Sequence, residues 1–207
     1  MTEQTATSSF PPTQMLEKVS SAGVLKANLK FWPLFLLAIL AVMYIAFGGV
    51  FSTLVATGAT GVIPYGIIKL LQGIVFSLGL ILVVVGGAEL FTGNILMVIP
   101  LFQGKIHLIQ LLRNWVIVYL GNFVGSILTA LLMISARTYL VADGQYGKTL
   151  LTIADSKLHY TFLQSFSLGI LCNILVCLAV WLCFSARNTT DKILSILFPI
   201  SAFIAAG

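Results

Sequence analysis

The sequence predicts an all-α polytopic membrane protein, and this prediction depends on the composition of the chain and the length of its apolar runs. Apolar residues make up 59% of the 207 residues and charged residues 8%, with a mean hydropathy of +1.07. A soluble domain carries about 25% charged residues. Apolar runs of about twenty residues, the length that a helix needs to cross a bilayer, recur between the few charges. The alternating segments of about ten residues that are typical of a transmembrane barrel do not occur.

The charged residues and the cysteines argue against several classes of partner. The net charge is +5, but the basic residues are spread singly between apolar runs, which does not suit a nucleic acid. Cys172, Cys177 and Cys183 fall within one apolar run, without the neighbouring histidines or carboxylates that a metal site needs. We interpret them as small apolar residues of a buried helix, and the sequence predicts no disulfide, metal or cofactor.

Residues 1–30 are predicted to be a cytoplasmic N-terminal segment, and residues 31–207 a transmembrane domain. The segment carries charges from Glu3 onwards and has no early apolar core, so it is not a cleavable signal. An amphipathic helix is predicted after Pro12. Its apolar stripe would contain Met15, Leu16, Val19, Ala22 and Leu25. This helix either lies passively on the membrane surface or serves as a gate or docking segment for a cytoplasmic partner.

The first span is predicted over residues 31–57, and the second is predicted to be broken. No basic residue lies between Lys69 and Lys105. A straight helix of about 35 residues would rise about 52 Å, more than the hydrocarbon core of about 30 Å. The stretch GGAELFTGN, residues 86–94, interrupts this run. Residues 70–85 and 95–102 would rise about 24 Å and about 12 Å, which suits one crossing made of two half-helices and a non-helical joint.

Two further spans and the start of a fifth follow along the chain. In the third, residues 108–136, Gly121 and Gly125 permit close packing against another helix. A polar connection over residues 137–160, with ADGQYG as a turn, leads to the fourth span at 161–185. A fifth apolar segment runs from Ile193 to Gly207, a rise of only about 22 Å, so we expect the chain to be a fragment of a longer protein.

The distribution of basic residues indicates the orientation, and a weak repeat indicates the symmetry. With a cytoplasmic N-terminus, seven basic residues lie inside and four outside, which is the expected bias. The inside residues are Lys18, Lys26, Lys30, Lys105, Arg113, Arg187 and Lys192. The segment LSILFPISAFIAAG also matches GLILVVVGGAELFTGN. With three spans per repeat, the copies would be inverted and their broken helices would meet near the midplane.

The joint at residues 86–94 contains the candidate functional residues. Glu89 is the only acidic residue inside an apolar run. Such residues usually mark a function or a partner, so Glu89 either accepts backbone N–H groups as scaffold or serves as a proton relay or a catalytic base. Gly86, Gly87 and Gly93 permit the break. Thr92 is either a helix cap or a pore-facing hydroxyl. Thr92, Gly93 and Asn94 precede a half-helix predicted near Ile95, whose N–H groups suit an anion.

Several motifs together resemble the formate/nitrite transporter family, most closely its formate channel branch. They are FSLGL, GAELFTGN, GNFVG, CNILVCLAVW and FPISAFIAAG, with ADGQYG and LTIADSKLHYTF indicating the branch. The resemblance implies an aquaporin-like inverted-repeat fold of six spans, of which this chain holds about four and a half, with the second and fifth spans broken. It also implies a homopentamer in the bacterial inner membrane that passes formate and similar small monovalent anions.

The resemblance also implies roles for particular residues. Leu80, Leu90, Phe76 and Phe203 would form apolar constrictions, Asn173 and Lys157 would be polar residues facing the anion, and Thr92 would belong to a mobile pore loop. The family's pore histidine is expected three residues after Gly207, so a protein of these residues alone is not expected to conduct. The alternatives are a nitrite or hydrosulfide channel, a membrane-embedded enzyme that uses Glu89, and a docking protein that acts through residues 1–30.

Overall fold

A computed structural model describes residues 9–206, and every regular element in that range is helical. Residues 1–8 of the predicted N-terminal segment, which include Glu3, lie outside the described range, as does Gly207. The helices are α1 (Pro12–Ala27), α2 (Phe31–Ala56), α3 (Tyr65–Gly86), α4 (Phe91–Asn94), α5 (Val98–Phe102), α6 (Leu108–Ser135), α7 (Gln145–Leu158), α8 (Phe162–Cys183) and α9 (Thr189–Ala206), with 3-10 turns at Ile95–Met97 and Thr138–Leu140.

Five of these helices are long and apolar enough to cross a membrane: α2, α3, α6, α8 and α9. The prediction of an all-α polytopic membrane protein is therefore confirmed. The first and third spans end one residue before their predicted ends, at Ala56 and Ser135. The second and fifth spans begin earlier than predicted, at Tyr65 and Thr189. The prediction placed each start at the beginning of an apolar run, whereas a helix can include polar residues before that run.

Helix α2 lies between α3 and α6, while α9 packs against both α3 and α8. The predicted close packing at Gly121 and Gly125 is observed, because a Cβ at either position would collide with α2, at Ala38 or Ile39. A Cβ at Gly73 of α3 would likewise lie 2.5 Å from Cα of Ser201 on α9. These glycines allow helix backbones to approach closely where no hydrophobic effect drives helices together in lipid.

Helices α3 and α9 run antiparallel at the centre of the bundle. Gly73 is opposite Ser201, and the hydroxyl of Ser77, four residues later on α3, lies 3.5 Å from the carbonyl of Leu197, four residues earlier on α9. The packing of α8 on α9 also matches that of α2 on α3, as an inverted repeat requires. Helix α9 continues unbroken through Pro199 to Ala206, so the break predicted in the fifth span stays a prediction.

The connection after α6 is more regular than the sequence indicates. Residues 137–160 contain the 14-residue helix α7, although the pattern predicts only a turn and polar loop. The predicted turn is present at its start, where Ala142, Asp143 and Gly144 have φ angles of 53°, 53° and 79°. Helix α7 is mostly exposed and lies outside the membrane spans, so the apolar length that locates the spans in the sequence does not detect it.

Helix α1 is docked on the bundle through a face that includes only part of the predicted stripe. Met15, Val19, Gly23 and Ala27, each four residues apart, are buried. Leu16 and Leu25 of the predicted apolar stripe are 39% and 72% exposed, so they lie outside the face that docks on the bundle. A Cβ at Gly23 would lie 2.7 Å from Cγ of Pro100 on α5. Sequence hydrophobicity misplaces this face because its close contact requires a small residue, not a large apolar one.

Candidate functional site

The joint in the second span is shorter than predicted, because only residues 87–90 are non-helical. Helix α3 ends at Gly86, and Gly87 has a left-handed φ of 76°. The amides of Gly87 and Ala88 both bond to the carbonyl of Val83, an arrangement that ends helices at glycine. The second half-helix begins at Phe91 rather than near Ile95, and it passes through a 3-10 turn into α5. Thr92, Gly93 and Asn94 therefore lie in its first turn and do not precede it.

Asn122 on α6 holds both ends of this joint. Its Nδ2 donates to the carbonyl of Ala38 at 2.7 Å and to that of Glu89 at 3.1 Å, and its Oδ1 accepts from the amide of Phe91 at 2.9 Å. The amide of Glu89 donates to the carbonyl of Leu37. The joint's backbone is thus satisfied by α2 and α6, as a break at membrane depth requires.

Sequence reasoning missed Asn122, although it lies in the GNFVG motif. An asparagine inside an apolar span is costly without partners, and that cost was the signal that could have singled it out. The sequence could not show that Asn122 contacts Glu89, because the two residues are 33 positions apart along the chain.

Glu89 forms an ion pair with Lys26 of α1, with Oε1 2.9 Å from Nζ. The Glu89 carboxylate is buried, at 7% exposure, whereas the Lys26 side chain is 30% exposed. Asn94 Nδ2 donates to the second oxygen, Oε2, at 2.8 Å. The prediction that Glu89 braces the joint by accepting backbone N–H groups was therefore wrong in its partners, because side-chain donors from α1 and the half-helix occupy both oxygens.

Two asparagines extend this cluster from the joint to α6. Asn94 Oδ1 accepts from Lys26 Nζ at 2.8 Å, and Asn94 Nδ2 also lies 2.9 Å from Oδ1 of Asn114. Asn114 Nδ2 in turn donates to the carbonyl of Lys26. We name Lys26, Glu89, Asn94 and Asn114 the joint cluster. It connects the end of α1, the joint and α6 in one buried polar network.

Thr92 is half-buried at the second position of the half-helix, and Leu90 occupies the capping position without a side-chain cap. The cap interpretation of Thr92 is thus wrong, and the pore-facing interpretation stays open. Across from it, Cys177 Sγ on α8 lies 3.4 Å from the carbonyl of Thr92. Thr92 therefore lies where the half-helix faces α8.

The four predicted constriction residues lie in one apolar cluster between α3, the joint and α9. Leu80 is 1% exposed, and Leu90, Phe76 and Phe203 pack around the same buried core. The rings of Phe76 and Phe203 stack with centroids 5.8 Å apart. Residues 127 positions apart in sequence are thus brought together by the antiparallel packing of α3 and α9.

A cavity of about 260 Å³ lies beside this cluster, on the side of the bundle where α1 docks. Its lining includes Leu80 and Leu90 from the cluster, Lys26 and Glu89 from the ion pair, and Lys192 from the start of α9. An apolar cluster therefore adjoins a cavity with charged residues in its lining, which is an arrangement suited to the passage of a small polar solute.

Asn173 and Lys157 are not brought to this cavity. Asn173 is half-buried on α8, one turn from Cys177, with Oδ1 and Sγ 3.9 Å apart. Lys157 is exposed in the last turn of α7, with Nζ 5.6 Å from the ring centroid of Tyr160. Tyr160 lines a second, open cavity of about 580 Å³ at the opposite end of the bundle from α1. The geometry permits Lys157 to act only at that end.

Within residues 9–206, no three histidine, cysteine or carboxylate groups lie close enough together to hold a metal ion. His107 caps the start of α6 and His159 follows α7, both exposed. The three cysteines are free thiols on α8.

Comparison with known proteins identifies the family. The formate/nitrite transporter family model matches residues 13–207. The chain belongs to the formate/nitrite transporter family. Formate channel FocA of Escherichia coli K12 is 45% identical over 196 residues, which are 95% of this chain and 68% of that protein. Formate channel FocA of Haemophilus influenzae is 41% identical, with 95% and 69% covered.

Solved structures of this family share the fold. A pentameric formate channel with formate bound has a TM-score of 0.78 at 46% identity, covering 86% of this chain and 69% of that one. An FNT family ion channel has a TM-score of 0.83 at 27% identity, covering 94% and 77%. The predicted family and its all-helical channel fold are therefore confirmed.

Proposed function

We propose that this protein is a channel for formate and similar small monovalent anions in the bacterial inner membrane. The observation that carries the proposal is the apolar cluster of Leu80, Leu90, Phe76 and Phe203 on a broken membrane helix, directly beside a charged cavity. The proteins of similar sequence and fold that bear the name formate channel support formate as the substrate.

The proposed path runs between the two ends of the bundle. At one end, Lys157 attracts anions and Asn173 offers an amide further in. The stacked Phe76 and Phe203 rings and the Leu80–Leu90 pair then form constrictions that exclude water and larger solutes. Thr92 offers a hydroxyl where the joint faces the path. The amide of Phe91 is already bonded to Asn122, so it does not serve the anion.

Glu89 is proposed as scaffold rather than as a proton relay. Both carboxylate oxygens already accept hydrogen bonds, from Lys26 and Asn94. The joint of Gly86, Gly87, Glu89, Gly93 and Asn94 is proposed to gate the path together with α1, because the joint cluster couples the two. Proton coupling remains part of the proposal, with the proton moving on the weak-acid substrate.

This path is tested by measuring formate flux into proteoliposomes. They contain the protein as its gene encodes it. Thr92→Ala, Leu80→Ala and Phe76→Ala are each expected to change the flux several-fold. Leu70→Ala and Phe123→Ala, at exposed positions, serve as matched controls with unchanged flux. If the formate flux of all three path variants equals that of the native protein, as it should in the two controls, the assigned path is wrong.

A nitrite or hydrosulfide channel of the same family is the alternative within this class. The apolar constriction alone does not select among small monovalent anions. Measuring formate flux in competition with nitrite and with hydrosulfide decides between them, since the preferred substrate suppresses formate flux at the lowest concentration.

An enzymatic function and a docking function have less support than a channel. An enzyme would require a nucleophile or metal ligands converging on Glu89, whereas its neighbours are Lys26 and Asn94. Loss of turnover of a lipid or peptide substrate in Glu89→Gln would support the enzyme. A docking role for residues 1–30 would appear as lost binding of a cytoplasmic partner with intact flux when those residues are deleted.

We further propose a homopentamer with a cytoplasmic N-terminus, and a functional division into residues 1–30 and 31–207. The pentameric formate channel of similar fold supports the assembly. Native mass spectrometry of the detergent-solubilised protein tests it, since a different protomer number would contradict the proposal.

A further inference from the structure

Asn122 is bonded to the two peptide groups on either side of Leu90. Its Nδ2 donates to the Glu89 carbonyl at 3.1 Å, and its Oδ1 accepts from the Phe91 amide at 2.9 Å. Leu90 has an extended backbone, with φ of −101° and ψ of 128°, so these two bonds replace helical hydrogen bonds that the break removes. One side chain therefore fixes both peptide planes that determine where the Leu90 side chain projects.

The orientation of the Asn122 amide is set by its three partners. The second hydrogen of Nδ2 is donated to the carbonyl of Ala38 on α2 at 2.7 Å, so both hydrogens face carbonyl oxygens while Oδ1 faces an N–H group. Exchanging the amide oxygen and nitrogen would set acceptor against acceptor and donor against donor. The side chain cannot rotate without losing all three bonds.

The backbone that carries Asn122 lies directly against α2. A Cβ at Gly121 would lie 2.6 Å from Cβ of Ala38, and a Cβ at Gly125 would collide with the carbonyl of Ile39. Small residues on both sides of Asn122 thus allow the two helix backbones to approach closely. Because asparagine has a short side chain, this contact places its amide with little freedom, and the amide in turn places Leu90.

Leu90 lines the 260 Å³ cavity and packs against the buried apolar core that contains Leu80. A site whose supporting residues let it move by about 1 Å no longer discriminates well, and an apolar constriction selects by its width. We propose that Asn122 is a positioning residue that holds Leu90 in the path and so sets the largest carboxylate that passes. This role rests on the proposed function, because it takes Leu90 as part of the path.

The ratio of acetate flux to formate flux tests this role, because acetate carries one methyl group more. In proteoliposomes, with the flux of protein-free vesicles subtracted, Asn122→Ala is expected to raise this ratio at least about threefold. Asn122→Asp keeps the acceptor of the Phe91 amide and loses one donor, so it should raise the ratio less. Native ratios in both variants would overturn the proposal.

Gly147→Ala is the control for lost stability alone. Its Cβ would lie 2.8 Å from the carbonyl oxygen of Tyr139, beyond the end of α6, so it strains the protein away from the joint. The acetate-to-formate ratio of this variant should equal the native ratio. An equal rise in Gly147→Ala and Asn122→Ala would show that general loosening, and not the position of Leu90, changes the selectivity, which contradicts the proposal.

A double-mutant cycle with Leu90→Ala shows whether Asn122 acts through Leu90. Leu90→Ala alone is expected to raise the acetate-to-formate ratio, because it removes the side chain that narrows the path. In that background Asn122→Ala should add little, since two residues that act through one contact are not additive. A full effect of Asn122→Ala without the Leu90 side chain would rule out the proposed role.

Hydrogen exchange of residues 86–94, read by mass spectrometry in detergent, separates this proposal from the channel itself. Asn122→Ala should speed exchange of this segment, because the Phe91 amide loses its acceptor, whereas Gly147→Ala should not. A native protein that passes no formate would refute the channel. Faster exchange in Asn122→Ala alone would then still support the placement of Leu90 by Asn122, and equal exchange in the native protein and both variants would refute it.

Discussion

At the scale of single residues, polar side chains decide how a break in a membrane helix is tolerated. Asn122 satisfies a donor and two acceptors around the joint, and the joint cluster satisfies the Glu89 carboxylate. In hydrocarbon, each of these groups would otherwise cost several kcal/mol, roughly 2–7 for an unpaired amide. Glu89 thus depends on Asn94, which the sequence singles out, and on Asn122, which it does not.

Asn122→Ala should destabilise the protein by about 2–3 kcal/mol, because it leaves the Phe91 amide and the Ala38 and Glu89 carbonyls without their partner. The loss is measured from denaturant unfolding in mixed micelles. Ser126→Ala on the same helix is the control, since its exposed hydroxyl bonds only to the Phe123 carbonyl and should matter by less than about 0.5 kcal/mol. Equal stability of the two variants would contradict the role of Asn122 in stabilising the joint.

Glu89→Gln and Lys26→Met should each weaken docking of α1 and should not be additive. Removing one partner leaves the other charge partly buried and unpaired, so the coupling between them is expected at about 1–3 kcal/mol. A double-mutant cycle on unfolding measures this coupling.

The same Glu89→Gln variant distinguishes scaffold from proton relay. As scaffold, it should increase protease cleavage at α1 and change flux only as far as docking changes. Abolished flux with α1 still protected from protease would instead support the relay.

At the scale of elements, close helix packing depends on glycine at the contact points. Gly125→Ala would drive a Cβ into the Ile39 carbonyl on α2, and overpacking of this kind costs about 1–3 kcal/mol. Gly66→Ala on α3 is the matched control, because no atom lies within 4 Å of its added Cβ. Thermal unfolding in detergent compares the two. A Gly125 variant as stable as the control would contradict the packing.

The elements also differ in how well the sequence predicts them. The spans were predicted within a few residues because a bilayer imposes a minimum length on every apolar run. Helix α7 was missed because it lies outside the membrane spans, and apolar length, which locates the spans, does not detect such a helix. The docked face of α1 coincides with the predicted apolar stripe only at Met15 and Val19, because the close approach of Gly23 to Pro100 requires a small residue, which hydrophobicity does not encode.

At the scale of the whole molecule, the positive charge of the loops predicts the orientation. In spheroplasts, a membrane-impermeant thiol reagent should label Ser156→Cys on α7 and leave Ser21→Cys on α1 unlabelled until the membrane is permeabilised. Both positions are exposed, so accessibility in the folded protein is matched. The native cysteines are replaced for this measurement. The opposite pattern would reverse the proposed topology.

The environment, the spans and the location of the break follow from local features of the sequence. Apolar length, rare charge and glycine content are local properties, and the bilayer makes them decisive. Which residues contact one another is visible only in the folded protein: Phe76 with Phe203, Glu89 with Lys26, and Phe10 with Lys18 and Arg187. These contacts arise because α3 and α9 run antiparallel and α1 folds back onto the joint. No local pattern specifies such long-range approaches, since each depends on the relative placement of whole helices.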